Sequence, residues 1–182
     1  MKLNELDGAP ERNLYISEID PSACMEIIQE IHKINAFDTK NEAIYANYKR
    51  SPIQVQINSY GGSIYDGIAV CDAMEKSETP IYTHVSHAMS MGFVISLFGH
   101  HRTCSKYATY MWHSMSSGII GKLQDMEEDM EENNRLQEVM NVITLERTKM
   151  KKTQLTKIVK AKRDNYITAE DALKMGIIDK IV

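Results

Sequence analysis

The sequence predicts a single domain with an α/β layer fold and parallel strand pairings. Runs with strand character alternate with helical patterns along the whole chain, the order that a parallel sheet and its crossover helices require. "IQVQIN" (residues 53–58) alternates apolar and polar with period two, as a strand with one buried face must. The 182 residues, 43% hydrophobic and 25% charged, can build one good-sized core, and no Gly/Ser/Pro-rich linker separates two halves.

The elements follow in order. "LYI" (14–16) reads as a short strand. A helix then starts with Asp20 as N-cap and Pro21 at the tolerated first position, and Ile27, Ile28, Ile31 and Ile34 form its apolar stripe. Residues 35–51 are polar and patternless and read as a surface loop. After the strand at 53–58, "SYGGS" makes a tight turn, and Ile64, Ile68 and Cys71 place a helix that Pro80 breaks. "IYTHV" (81–85) is the next strand. An apolar helix from Met91 to Phe98 ends at Gly99, with His100, His101 and Arg102 suited to its negative end.

Strands return at 102–105 and 109–112. A long helix is predicted over about 122–151, acidic in its first turns and basic in its last, as the helix dipole prefers. Leu123, Met126, Met130, Leu136, Met140 and Ile143 form its stripe, and the basic cluster over 149–163 answers the acidic run upstream. "TAED" (168–171) has capping-box spacing, Gly176 closes that helix, and "IIDKIV" resembles a terminal strand. No internal repeat is visible.

Composition excludes several classes. A net charge of −4 argues against a nucleic-acid binder, which wants a basic face. No apolar run is long enough to span a bilayer, and "MKLNELDGAPERN" is too polar for a secretory signal, so the expected location is cytoplasmic. Cys24, Cys71 and Cys104 form an odd set without CxxC spacing, which indicates neither a disulfide framework nor a zinc site. The twelve methionines suit core filling or adaptable apolar surfaces.

The residues that carry chemistry centre on "HAMSMGF" (87–93), where Ser90 stands at the mouth of an apolar helix. It reads either as a helix cap or as a nucleophile. At a helix start the neighbouring N–H groups are free and negative charge is favoured, and Gly92 lets the chain turn closely. This is not a G-x-S-x-G elbow, because Ala88 occupies the first glycine position. In "NSYGGS" two glycines can expose N–H groups to a carbonyl, or simply turn the chain from strand to helix. A nucleophile and an oxyanion hole at neighbouring strand ends would converge, since crevices in α/β sheets form there. Among the six histidines, His32, His84, His100 and His101 read as surface, strand or helix-end residues. His87 lies three residues from Ser90, and His113 ends "ATYMWH" at a loop. Spacing does not choose between these two.

"INSYGGSIYDGIAVCDAM", "HAMSMGF", "YMWHS" and "RDNYITAEDALKMGIID" occur in the order and approximate spacing of the proteolytic subunits of the Clp protease (ClpP), which the chain resembles from about Leu14 to its end. The resemblance implies a crotonase-like fold of stacked β-β-α turns and a serine peptidase chemistry without metal or organic cofactor. It carries the nucleophile onto Ser90, the general base onto His113 and the orienting acid onto Asp164. The oxyanion donors fall on the backbone N–H groups of Met91 and of the Gly61–Gly62 pair, the second glycine being the better match.

The resemblance further implies a homo-oligomer of heptameric rings, usually paired face to face as a tetradecamer. A partner AAA+ unfoldase would use the ATP and feed in polypeptide substrates. One domain over 1–182 would comprise an N-terminal segment of about 1–13 and a handle loop and long helix over about 114–151. The chain departs from the family in Tyr60, where proline is usual, in Met89, where a small residue is usual, and in Ser86–His87, which replace a more apolar pair. "SMSSGIIGK" differs from the usual loop after the histidine, the N-terminal segment lacks axial-pore residues, and 35–51 is longer than expected. These departures suit a divergent, phage- or prophage-type branch. The alternatives are a crotonase-type acyl-CoA enzyme, a catalytically silent ring subunit or scaffold, and a phage head-maturation protease of the same fold.

Overall fold

The computed structural model describes residues 8–115, 122–161 and 163–182. Its elements are β1 (Asn13–Ile16), α1 (Pro21–Ile44), β2 (Ile53–Ser59), α2 (Ile64–Glu75), β3 (Ile81–Met89), α3 (Met91–Ser96), β4 (His101–Trp112), α4 (Leu123–Arg147), α5 (Lys152–Ala161), β5 (Asn165–Thr168), α6 (Ala169–Lys174) and β6 (Lys180–Ile181). The sheet runs β1-β2-β3-β4-β5, with β6 added to β4. All pairings are parallel except β4 with β5. The α/β class read from the alternation is the class observed.

Two register slips give the sheet its shape. One lies between Ile57 and Asn58 where β2 meets β3, the other between Val85 and His87 where β3 meets β4. Such slips bend a strand and increase its twist. Each slip marks an irregularity within a continuous strand, and single strands alternate with single helices from β1 to α4. The second slip also explains the two strands expected at 102–105 and 109–112, which are one continuous β4 whose middle leaves the β3 ladder.

The core lies between the sheet and α1, α2 and α3. Ile53, Val55, Ile57, Ile81 and Val85 from the strands meet Ile31 and Ile34 of α1 and Val70 and Met74 of α2, all buried. Every residue of α3 is buried, which places its N-terminal end firmly against the sheet. Burying one such side chain fully is worth about 1.5–3 kcal/mol.

The expected surface loop at 35–51 is a correction, because α1 continues to Ile44. The apolar stripe does not stop at Ile34: it passes to Asp38 and Asn41, four and seven positions on, and both are buried. Asp38 accepts from Arg12 (Nη1 to Oδ2, 3.0 Å; Nη2 to Oδ1, 2.5 Å), from Thr79 Oγ1 (2.6 Å) and from the Tyr48 hydroxyl. Burial alone would raise its pKa, but the bonds from Arg12, Thr79 and Tyr48 outweigh burial and hold the carboxyl below the ordinary value.

A depressed folded pKa means that this stabilisation is present at neutral pH and is lost as pH falls through the folded value. Asp38→Asn is expected to cost about 3–5 kcal/mol in urea unfolding at pH 7, because Arg12 is left buried without its anion. The gap to the wild type narrows below about pH 4 as the wild-type carboxyl protonates.

Three further expectations change. The long helix ends at Arg147, and the basic cluster beyond it forms α5, which buries Leu155 and packs Ile158 and Val159 partly against the core. In α4 only the later half of the stripe, Leu136 and Met140, is buried, while Leu123 and Met130 are exposed. Residues 100–102 do not cap α3 with charge. Ile81 N–H donates to His100 Nδ1 (3.0 Å), and Arg102 Nη1 donates to the Arg147 carbonyl (2.8 Å), which ties the start of β4 to α4. Residues 1–7 of the expected N-terminal segment and 116–121 of the expected handle loop lie outside the described residues. Among the described residues, no helix is long and apolar enough to cross a membrane, and Cys24, Cys71 and Cys104 are free and buried.

Candidate active site

Strand register alone brings distant residues to one edge of the sheet. Ser59, the last residue of β2, pairs with Ala88 of β3, so Gly61–Gly62 and Ser90 leave the sheet side by side. Met89 of β3 pairs with Met111 of β4, so Ser90 and His113 follow neighbouring strand ends. Trp112 pairs antiparallel with Asn165, so His113, one residue beyond β4, faces Asp164, one residue before β5. The order β2, β3, β4, β5 thus presents Gly61–Gly62, Ser90, His113 and Asp164 in sequence across one mouth.

Ser90 has φ 54° and ψ −121°, and among the described residues no other non-glycine has positive φ. These angles resemble the first central position of a type II′ turn, where glycine is favoured. The surroundings hold it there: its N–H donates to the Met111 carbonyl (2.9 Å), and its carbonyl accepts from Val94. Ser90 occupies the N-cap of α3, yet its side chain makes no capping bond. Instead Ser90 Oγ lies 2.9 Å from His113 Nε2. Of the two expected readings for Ser90, helix capping is therefore not what its hydroxyl does. Strain of this kind costs of order 1–3 kcal/mol and persists where the surroundings over-determine it.

The glycines have separate jobs. A Cβ on Gly61 (φ +105°) would lie 2.7 Å from Ser90 Cβ and 3.3 Å from Met91 N, so only glycine lets the loop close on the serine. Gly61 N–H donates to Ser59 Oγ (3.1 Å). The N–H groups of Gly62 and Met91 have no hydrogen-bond partner among the described residues. Gly62 lines the same cavity as Ser90. An attacked carbonyl held there would meet two unused donors.

That cavity, about 620 Å³, is also lined by Tyr60, Ile64, Met111, His113, Ser114, Met115, Met140, Arg163 and Asp164. Met115 N–H donates to Gln137 Oε1 (2.7 Å), and Trp112 Nε1 donates to Thr144 Oγ1 (3.3 Å), so α4 braces the segment carrying His113. Asp164 is exposed, lines the cavity, and makes no hydrogen bond to His113 among the described residues.

The other histidines lie elsewhere. His32 is exposed. His84 is half-buried, its ring nitrogens 2.9 Å from Thr103 Oγ1 and 3.1 Å from Ser105 Oγ, and burial lowers its pKa. His87 makes no bond to Ser90; it packs against Tyr60. Among the described residues, no group of three or more His, Cys, Asp or Glu side chains could hold a metal ion. Sequence reasoning did not foresee the methionine wall of Met111, Met115 and Met140, since these three come from a strand, a loop and a helix.

Chemically, an imidazole 2.9 Å from a hydroxyl can take its proton as the oxygen attacks a carbonyl, provided the oxyanion has donors nearby. Comparison with known proteins points the same way. Residues 13–182 match the Clp protease family. The chain is 32% identical over 133 residues to a protein of Deinococcus radiodurans named ATP-dependent Clp protease proteolytic subunit. That alignment covers 71% of this chain and 64% of the relative, so the chain spans under two thirds of that protein's length. The family match includes every strand that brings a residue to this mouth, and on that ground the chain belongs to the Clp protease family.

Proposed function

We propose that this chain is the subunit of a serine endopeptidase that cleaves peptides and unfolded polypeptides through an acyl-enzyme. The observation that carries the proposal is the 2.9 Å contact between Ser90 Oγ and His113 Nε2, made by a strained serine. Ser90 Oγ attacks the scissile carbonyl while His113 takes its proton. The N–H groups of Met91 and Gly62 hold the oxyanion, and Gly61 keeps the loop close. His113 then protonates the leaving amine as the C–N bond breaks. Water, deprotonated by His113, hydrolyses the ester and restores Ser90. Asp164 orients His113 and stabilises its protonated form without taking the proton. No metal or organic cofactor enters these steps.

The same reading extends to assembly. Leu123 and Met130 stand exposed on the first turns of α4, and burial against other copies would explain them. We propose homo-oligomeric rings of the family kind, heptameric and paired, enclosing the mouths in a cytoplasmic chamber. An AAA+ unfoldase would spend ATP to supply chains. The lack of a bond between Asp164 and His113 favours one second reading, a catalytically silent ring subunit.

A serine-reactive fluorophosphonate separates the two. Labelling confined to Ser90, together with hydrolysis of a fluorogenic peptide by the assembled protein, is the expected result. An assembled protein that neither labels nor hydrolyses any peptide is the silent subunit, and a monomer by light scattering removes the chamber.

A further inference from the structure

We propose that Tyr60, braced by His87, is a specificity-determining platform that favours peptide substrates with an aromatic side chain flanking the scissile bond. This inference rests on the peptidase reading above. Tyr60 follows the last residue of β2 and precedes Gly61, so it stands one residue from the glycine that touches Ser90. Its side chain lines the cavity that holds Ser90 and His113, yet the residue is 76% exposed. What sets it apart from the other exposed tyrosines is its place beside Ser90 and His113, where a bound peptide would cover it.

The support beneath it is specific. The Tyr60 and His87 ring centroids are 4.9 Å apart, tilted by 48°. His87 pairs with Asn58 immediately after the register slip between β2 and β3, and slips of this kind re-aim a side chain. His87 Nε2 is buried without a hydrogen-bond partner. A buried imidazole nitrogen with nothing to bond is an unfavourable arrangement, and what the ring does gain at this position is its contact with Tyr60. The tilted His87 ring lies against part of the tyrosine ring, and the exposed remainder is open to a flat partner. The Tyr60 hydroxyl makes no hydrogen bond among the described residues, which leaves the phenol edge available to a peptide group. Ile64, Met111 and Met140 add apolar side chains to the same cavity, alongside the polar Ser114, Arg163 and Asp164.

The test uses internally quenched peptides in pairs, identical except for Phe or Ala next to the scissile bond, with one pair for each side of the bond. The wild type is expected to hydrolyse the Phe member of at least one pair with kcat/KM about three- to tenfold higher. Tyr60→Ala and His87→Ala bring that ratio close to one, while Tyr60→Phe and His87→Phe keep most of it, since each retains the contact between two rings. A merely structural role would move both members of a pair together. A wild type without preference, or a Tyr60→Ala ratio equal to the wild type's, overturns the proposal. Fluorophosphonate labelling of the same preparations reports on Ser90 independently. A wild type that labels and cleaves without preference defeats only this inference, and one that does neither defeats the peptidase reading with it.

Discussion

Ser90→Ala is expected to lower kcat for peptide hydrolysis by about 10⁴–10⁶-fold, with little change in stability. Alanine keeps the Cβ and therefore the strain at φ 54°, so the fold around β3 and α3 stays as it is. What disappears is the oxygen 2.9 Å from His113 Nε2. His113→Ala should fall into the same range, and the double variant should be little worse than either single one, because nucleophile and base act as a unit. Asp164→Asn should lose about 10⁴-fold if the carboxylate reaches His113 in the working assembly. A loss of only a few fold would mean that Asp164 remains apart from His113, and would remove it from the mechanism without touching the other two.

Ser90→Gly sharpens the argument. Its backbone adopts these angles without penalty, so this variant should be inactive yet more stable than the wild type by about 1 kcal/mol. Stability gained at the expense of chemistry is what a functionally imposed strain predicts. Wild-type activity in Ser90→Ala would end the proposed mechanism outright.

How much of this was legible in the chain depends on whether the signal was local. Asp20 caps α1 through Ala23 N–H (2.9 Å) and Thr168 caps α6 through Asp171 N–H (3.2 Å), as their spacing requires. These are contacts within one turn, and sequence states them directly. The end of α1 was not legible because Asp38 continues the buried stripe with a carboxylate, and only Arg12, Tyr48 and Thr79, all outside the helix, make that tolerable. The pattern of α5 is readable in retrospect, since Leu155, Ile158 and Val159 stand three and four apart, but the lysines around them read first as charge. At the site, residue spacing left His87 and His113 level. The register of Met89 with Met111 separates them, because it carries His113 past the strand end beside Ser90 while His87 stays within β3 under Tyr60. Residue spacing carries no trace of such tertiary pairing, and in the sequence only the resemblance pointed to His113.

Gly62→Ala is expected to damage activity and stability together. Gly62 has φ +156°, and an added Cβ would fall 2.2 Å from the Ile19 carbonyl oxygen and 2.9 Å from Ile19 Cβ. That carbonyl is a fixed part of the fold, accepting from Ser63 N–H (2.8 Å) within an isolated parallel bridge between Ile19 and Gly62. Neither partner is the flexible end of a side chain, so the loop has to leave Ile19. The cost should be about 2–3 kcal/mol in chemical unfolding. The displaced loop carries the Gly62 N–H away from the oxyanion, and loss of one such donor lowers kcat by about 10²–10³-fold. Gly61→Ala presses instead on Ser90 Cβ (2.7 Å), the Met89 carbonyl oxygen (3.0 Å) and Met91 N (3.3 Å), so it should depress kcat by displacing the serine itself. Gly8→Ala supplies the control: its φ is +77° but nothing lies within 4 Å of an added Cβ, so only backbone strain is felt. If Gly62→Ala unfolds earlier yet turns over peptide at the wild-type kcat, the Gly62 N–H is not an oxyanion donor, and Met91 would be left to hold the charge with some other group.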